Sequence, residues 1–154
     1  MTAIPLEGLF ESHLTVRDLD RSIEFYTGIV GLELAHRVPE RQAAFLWIGG
    51  RGQHMLGLWS IGTAPNALRL HIAFRATLAD VEASVGRLKA LGIVPRDGGG
   101  GREITEPIVF GWMPAASVYF DDPDGHSLEY IAMLDGAPRP ELGIVSLSRW
   151  RETG

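Results

Sequence analysis

One arrangement occurs twice in this chain. The segments His13-Leu14-Thr15-Val16-Arg17 and His71-Ile72-Ala73-Phe74-Arg75 match at a spacing of 58 residues, and each runs through a helix cap into an amphipathic helix and then into further extended segments. A unit of about 60 residues cannot bury both faces of its own sheet. The duplication therefore predicts an α+β fold in which two tandem β-α-β-β-β units form one curved eight-stranded mixed sheet with the helices outside. Its concave side is then free to act as a pocket. The expected bounds are 8–60 for the first unit and 68–134 for the second, inside one domain of residues 1–154 that ends in a tail, 135–154.

Local signals place the elements. Phe10 to Val16 reads as a strand, Asp18 as an N-cap, and Leu19, Ile23, Tyr26 and Val30 as the apolar stripe of a helix stopped by Gly31. Extended segments follow at 31–38, 42–50 and 53–60, then a turn-rich link at 61–67. In the second half a strand ends at Arg75, and Thr77 caps a helix carrying Leu78, Val81, Val85, Leu88 and Leu91, with Gly92 at its end. A glycine tract, Gly98 to Gly101, precedes an irregular stretch to Pro114. Two strands, 115–121 and 126–134, close the order around the turn Asp122-Pro123-Asp124-Gly125. The 19 Gly and 9 Pro of the chain exceed ordinary usage, as many short elements require.

Composition narrows the function classes. There is no cysteine, so thiolate metal sites, disulfides and cysteine nucleophiles are excluded and a metal would need His, Asp or Glu. A net charge of −5 with scattered Arg and Lys offers no basic stripe for nucleic acid. No apolar run approaches the roughly 20 residues of a membrane span, and the first residues lack a secretory pattern. A cytoplasmic protein with a small-molecule partner, and neither nucleic acid nor membrane as partner, is expected.

The candidate chemistry lies in polar groups inside strands. Glu129 stands among Leu128, Tyr130 and Ile131, and His71 between Leu70 and Ile72. A charge there either faces solvent at an edge or serves as a ligand or base. Glu11 and His13 are two apart and share a strand face. Strand parity puts Met55 and Trp59 on one face and His54 on the other, and pairs Phe45 with Trp47. These aromatic residues read first as plain core, and Trp112, after the glycine tract, has a lid as its alternative reading. His36 reads as structural, and His126 as a turn or surface residue.

Val16 to Tyr26 with Gly31-Leu32, His71-Ile72-Ala73-Phe74, and Tyr119 to Glu129 together resemble the vicinal oxygen chelate superfamily, which includes glyoxalase I, fosfomycin-resistance proteins, extradiol dioxygenases and bleomycin-binding proteins. The resemblance implies a glyoxalase-like fold, a homodimer, and a divalent cation (Mn, Fe, Zn, Ni or Mg) held by His71 and Glu129 of the second unit. The first-unit ligand it implies lies seven residues before Asp18, at Glu11. His13, two residues nearer, falls where a substrate-contacting residue is expected, and counting to the helix caps leaves Glu11 and His13 as alternatives. A fourth ligand of glyoxalase I falls at Gly57, which leaves a three-ligand site. Glu129 and Glu11 are the implied catalytic carboxylates, with His13 or Glu11 moving the proton. The implied substrate-binding residues are His13, Trp47, Met55, Trp59, Trp112 and Ser117, the last matching a phosphonate-contacting serine of the fosfomycin enzymes. Thr15 stands where an arginine would bind a glutathione carboxylate, and no basic residue follows Glu129 as in the fosfomycin enzymes. The implied function is a metal-dependent enzyme of lyase, isomerase or dioxygenase type acting on a small molecule with neighbouring oxygens. The alternatives are a metal-free binding protein of the bleomycin-resistance type and a fosfomycin-type thiol transferase.

Overall fold

The structure is a computed structural model and describes residues 7–60 and 68–153. The link at 61–67 lies outside the described residues. Contacts divide the chain into two compact units, 1–67 and 68–154.

In the first unit the order is β1 (Glu11–Thr15), α1 (Leu19–Gly28), β2 (Glu33–Val38), β3 (Ala43–Ile48) and β4 (His54–Trp59). The sheet runs β1-β4-β3-β2, with β1 parallel to β4 and the other pairs antiparallel. Asp18 Oδ1 accepts the Arg21 N–H at 3.0 Å and starts α1, and Gly31 takes a φ of +85° just beyond its end. Leu14, Ala44, Leu46, Leu56 and Leu58 share one face of the sheet through the register Leu14↔Leu58, Ala44↔Leu58 and Leu46↔Leu56. All are buried, as are Ser22, Ile23, Phe25 and Tyr26 of α1, which packs on this sheet. The odd-numbered residues Glu11, His13, Phe45, Trp47, Met55 and Trp59 are thereby set on the other face.

The second unit repeats the plan: β5 (His71–Arg75), α2 (Leu78–Ala90), β6 (Ile108–Phe110), β7 (Ala115–Asp121) and β8 (Ser127–Met133). Here β5 is parallel to β8, and β8, β7 and β6 are antiparallel. Val81, Val85 and Leu88 of α2 cover Leu128, Phe120, Val118 and Ala132, all of them buried. The tail adds β9 (Ile144–Ser146) beside β6, giving the order β5-β8-β7-β6-β9, and ends in α3 (Leu147–Glu152), whose Trp150 stacks under the Arg139 guanidinium at 3.4 Å.

The mixed α+β class and the two β-α-β-β-β units agree with the sequence reading. The hydrogen bonding divides the strands into sheets of four and five. The fifth strand of the second sheet comes from the tail, where the sequence offered no readable motif, and β6 lies in the stretch read as irregular. Among the described residues no helix is long and apolar enough to cross a membrane.

Candidate functional site

The second unit sets a carboxylate in the middle of its sheet. Glu129 is on β8 between β5 and β7, only 3% exposed, so the solvent-facing edge reading of this residue does not hold. Its Oε2 lies 3.2 Å from His71 Nε2. The other ring nitrogen of His71, Nδ1, is 3.0 Å from the Ser127 carbonyl oxygen. A carbonyl oxygen only accepts, so Nδ1 carries the proton of that bond. In the neutral ring the Nε2 lone pair then points at a carboxylate oxygen, and two acceptors at 3.2 Å repel unless a proton or a cation lies with them. Two ligand atoms bound at about 2.1 to 2.2 Å to one ion, roughly at right angles, are themselves about 3.0 to 3.1 Å apart. The second oxygen, Glu129 Oε1, is buried without a hydrogen-bond partner. A carboxylate is costly to bury in that state. Imidazole fixed by a backbone carbonyl through one nitrogen, beside a carboxylate with an unused oxygen, is a ligand pair of the sort divalent cations take. These residues fit the ion.

Cross-strand neighbours frame the pair. Tyr119 of β7 is opposite Glu129, and its ring stacks on His71 with centroids 5.7 Å apart. Burial, then the Glu129 charge beside it, raises the Tyr119 phenol well above its ordinary pKa, so it stays a neutral donor. Arg96, mostly buried, donates to Asp121 at 2.5 Å and to Ser127 at 2.9 Å, and Arg69 donates to the same Asp121 oxygen at 2.5 Å. Burial alone would push the Asp121 carboxyl up, but the hydrogen bonds from Arg96 and Arg69 outweigh it and hold the pKa below its usual value. Gly98 lies so close that a Cβ there would sit 2.7 Å from the Tyr119 ring. The glycine tract therefore packs on this face. Tyr119, Arg96 and Asp121 were not singled out from sequence. The turn Asp122 to Gly125 carried the signal for Tyr119, since it fixes the pairing Asp121↔Ser127 and hence Tyr119↔Glu129.

The first unit carries a corresponding pair on its helix-free face: Glu11 Oε1 is 3.1 Å from His13 Nε2. The parallel ladders show which residues correspond. Glu11↔Met55 opens one and His71↔Ser127 the other, so Glu11 takes the place of His71, and Gly57, opposite His13, takes the place of Glu129. Between β1 and β5 the true repeat offset is thus 60 residues, two more than the self-match His13/His71 suggested. His13 packs against Phe45 and Trp59, with ring centroids 6.0 and 5.6 Å away, and an open cleft of about 320 Å³ is lined by His13, Leu14, Thr15 and Trp59. The Trp59 indole Nε1–H is buried without a partner.

The remaining candidates fall as follows. Met55 and Trp47 face each other across β3 and β4 on the face of His13. Ser117 is fully buried on β7, its Oγ without a partner, opposite Ile131 and so on the face of Glu129. Trp112 is 64% exposed in the turn between β6 and β7. His54 binds the Leu9 carbonyl through Nδ1 at 2.8 Å, away from the face of His13, as its parity implied. His126 is in the turn as expected but 3% exposed, its Nδ1 accepting the Leu70 N–H at 3.2 Å, which corrects the surface reading. Among the described residues no group of three or more His, Asp or Glu side chains is placed to hold a metal ion. Each unit brings together a pair.

Comparison with known proteins follows the same lines. An integron cassette protein from the mobile metagenome of the Halifax Harbour sewage outfall is 32% identical, with a TM-score of 0.69 over 83% of this chain and 100% of that one. A lactoylglutathione lyase from Agrobacterium tumefaciens is 27% identical over 84% of this chain and 96% of its own, with a TM-score of 0.62. The genomically encoded fosfomycin resistance protein FosX from Listeria monocytogenes, solved with Mn(II) and a sulfate ion, is 25% identical over 84% and 93%, with a TM-score of 0.60. The family model described as Glyoxalase/Bleomycin resistance protein/Dioxygenase superfamily matches residues 9–130, and the chain belongs to that superfamily.

Proposed function

We propose that this protein is a metal-dependent enzyme that takes two neighbouring oxygens of a small substrate onto a divalent cation, with lyase, isomerase or dioxygenase chemistry. The observation that carries the reading is Glu129, a buried carboxylate with one oxygen against the His71 lone-pair nitrogen and the other without a partner. His71 and Glu129 hold the ion, and Glu11 stands at the position in the first unit that His71 has in the second.

When bound, the cation supplies Lewis-acid stabilisation of negative charge developing on substrate oxygen. The protein residues do the rest. The Ser127 carbonyl holds the His71 ring in one tautomer. The Tyr119 hydroxyl, kept neutral by burial and by Glu129, donates toward the Glu129 carboxylate and helps to hold it in place. Within the first unit the Glu11 carboxylate and His13 Nε2, 3.1 Å apart, are placed to pass a proton between them.

A second reading, a metal-free binding protein, is favoured by one observation: the rings of His13, Phe45 and Trp59 group on one face, and Trp59 Nε1–H is left for a ligand to accept. Elemental analysis after loading with Mn²⁺, Fe²⁺ or Zn²⁺ separates the two. The enzyme reading expects close to one ion per chain in the wild type and loss of it in His71→Ala. A wild type that retains no ion leaves the binding protein standing. Because FosX is the relative solved with Mn(II), Mn²⁺ is the first ion to load.

A further inference from the structure

We propose that His126 is a positioning residue for the His71 imidazole: its ring pins the residue that precedes β5 and so fixes which His71 nitrogen is presented to Glu129. The inference rests on the metal-dependent reading for its purpose, and it names a residue that acts on the His71–Glu129 pair only through the backbone.

Hydrogen bonds tie the dipeptide Leu70-His71 to the dipeptide His126-Ser127 at successive points. His126 Nδ1 accepts the Leu70 N–H at 3.2 Å, the Leu70 carbonyl accepts the Ser127 N–H at 2.8 Å, and the Ser127 carbonyl oxygen is 3.0 Å from His71 Nδ1. Leu70 is the last residue before the ladder opens at His71↔Ser127, the kind of place where a strand frays most readily. With both of its backbone groups engaged, it cannot swing away and carry His71 off the Ser127 carbonyl. The clamp has a firm base. The His126 residue is 3% exposed, its N–H donates to Asp122 Oδ1 at 2.8 Å, and its carbonyl accepts the Asp122 N–H at 3.0 Å. A backbone N–H only donates, so His126 Nδ1 carries no proton and the neutral ring is protonated on Nε2, the opposite of His71.

The first unit repeats the device. Glu11↔Met55 and His71↔Ser127 open the two parallel ladders, and the residue before Met55, like the residue before Ser127, is a histidine. The Met55 N–H donates to the Phe10 carbonyl at 2.7 Å, as the Ser127 N–H does to that of Leu70, and His54 Nδ1 is 2.8 Å from the Leu9 carbonyl oxygen. The two histidines therefore grip the same link of the repeat, the peptide bond Leu9-Phe10 in one unit and Arg69-Leu70 in the other. His54 holds it by the carbonyl and His126 by the N–H. A chance contact has no reason to recur at equivalent places ahead of Glu11 and of His71. In the second unit the residue that follows is an imidazole, and the clamp decides its tautomer.

The test uses the full chain, first without metal. Long-range ¹H–¹⁵N correlation spectra recorded above the histidine titration range read the tautomer of each ring. In the wild type His71 is in the Nδ1–H form and His126 in the Nε2–H form. His126→Asn, whose amide oxygen can stand where Nδ1 stands, keeps His71 in the Nδ1–H form. His126→Leu, checked for fold by circular dichroism, shifts His71 toward the Nε2–H form. Mn²⁺ affinity then falls about tenfold in His126→Leu, the scale of lost support behind a metal ligand, and stays within a few-fold of the wild type in His126→Asn. A folded His126→Leu in which His71 keeps the Nδ1–H form overturns the proposal. So does a wild-type His126 protonated on Nδ1, a result that needs no variant to fold. A wild type that binds no Mn²⁺, while the His71 tautomer still follows the substitution at His126, overturns the metal-dependent reading and leaves the positioning of His71 standing.

Discussion

Glu129 is a buried charge whose cost in stability the proposed metal site would explain. Its carboxylate is 3% exposed, one oxygen has no hydrogen-bond partner, and the other faces an imidazole nitrogen. Removing the charge while keeping the shape therefore has opposite effects with and without metal. In metal-free protein Glu129→Gln should melt no lower than the wild type, because a buried charge is replaced by a neutral amide. At about 100 times the wild-type Kd, Mn²⁺ should add roughly 2.7 kcal/mol to the wild type and almost nothing to the variant. Differential scanning calorimetry with and without Mn²⁺ reads both arms, and a metal-free melt several degrees below wild type would contradict the account. Gly98 makes a related point. Because a Cβ there would stand 2.7 Å from the Tyr119 ring, Gly98→Ala must displace the phenol, and weaker Mn²⁺ binding without loss of fold is expected by titration and circular dichroism.

Caps and alternation made most elements readable, and each can be checked. Asp18 accepts the Arg21 N–H at the start of α1; Asp18→Ala should cost about 1 kcal/mol in chemical denaturation, whereas no change would remove the cap from the account. The same kind of signal found α2, through Thr77 and the Gly92 stop at a φ of +74°. What escaped has physical reasons. β6 and β9 are three residues each, too short to show a period of two, and take their strand character from pairing with each other and with β7. The repeat was found but set two residues off. A one-residue slip would have exchanged the faces of the strand, whereas a slip of two preserves the alternation and is invisible to it. That slip is what left Glu11 and His13 as alternatives. His71 and Glu129 were legible as polar residues in apolar strands, while Tyr119, Arg96 and Asp121 act through cross-strand neighbours that only the register supplies. The Arg96–Asp121–Arg69 tie links β7 to the start of β5 and makes an acid-sensitive joint. The Asp121 carboxyl is held below its usual pKa, so its contribution is complete above about pH 4, the unfolded value, and is lost as pH falls through the lower folded value. The stability difference between wild type and Asp121→Asn should accordingly be present at about pH 7 and vanish near pH 2. A difference unchanged across that range would contradict it.

At the scale of the whole molecule, two copies of one β-α-β-β-β plan differ in the polar residues of their open faces while keeping the helix-covered faces apolar. Leu14, Leu46, Leu56 and Leu58 in one unit and Val118, Phe120, Leu128 and Ala132 in the other serve the same purpose. The opposite faces carry Glu11 with His13 and His71 with Glu129, at separations of 3.1 and 3.2 Å. The central claim is that the His71–Glu129 pair is a ligand pair and more than an ion pair. A crystal of the full chain soaked in Zn²⁺ and measured at the zinc absorption edge tests it most directly. The account predicts an anomalous peak about 2.0 to 2.2 Å from both His71 Nε2 and a Glu129 oxygen. An empty edge map, with His71 Nε2 still directly against Glu129 Oε2, would contradict it.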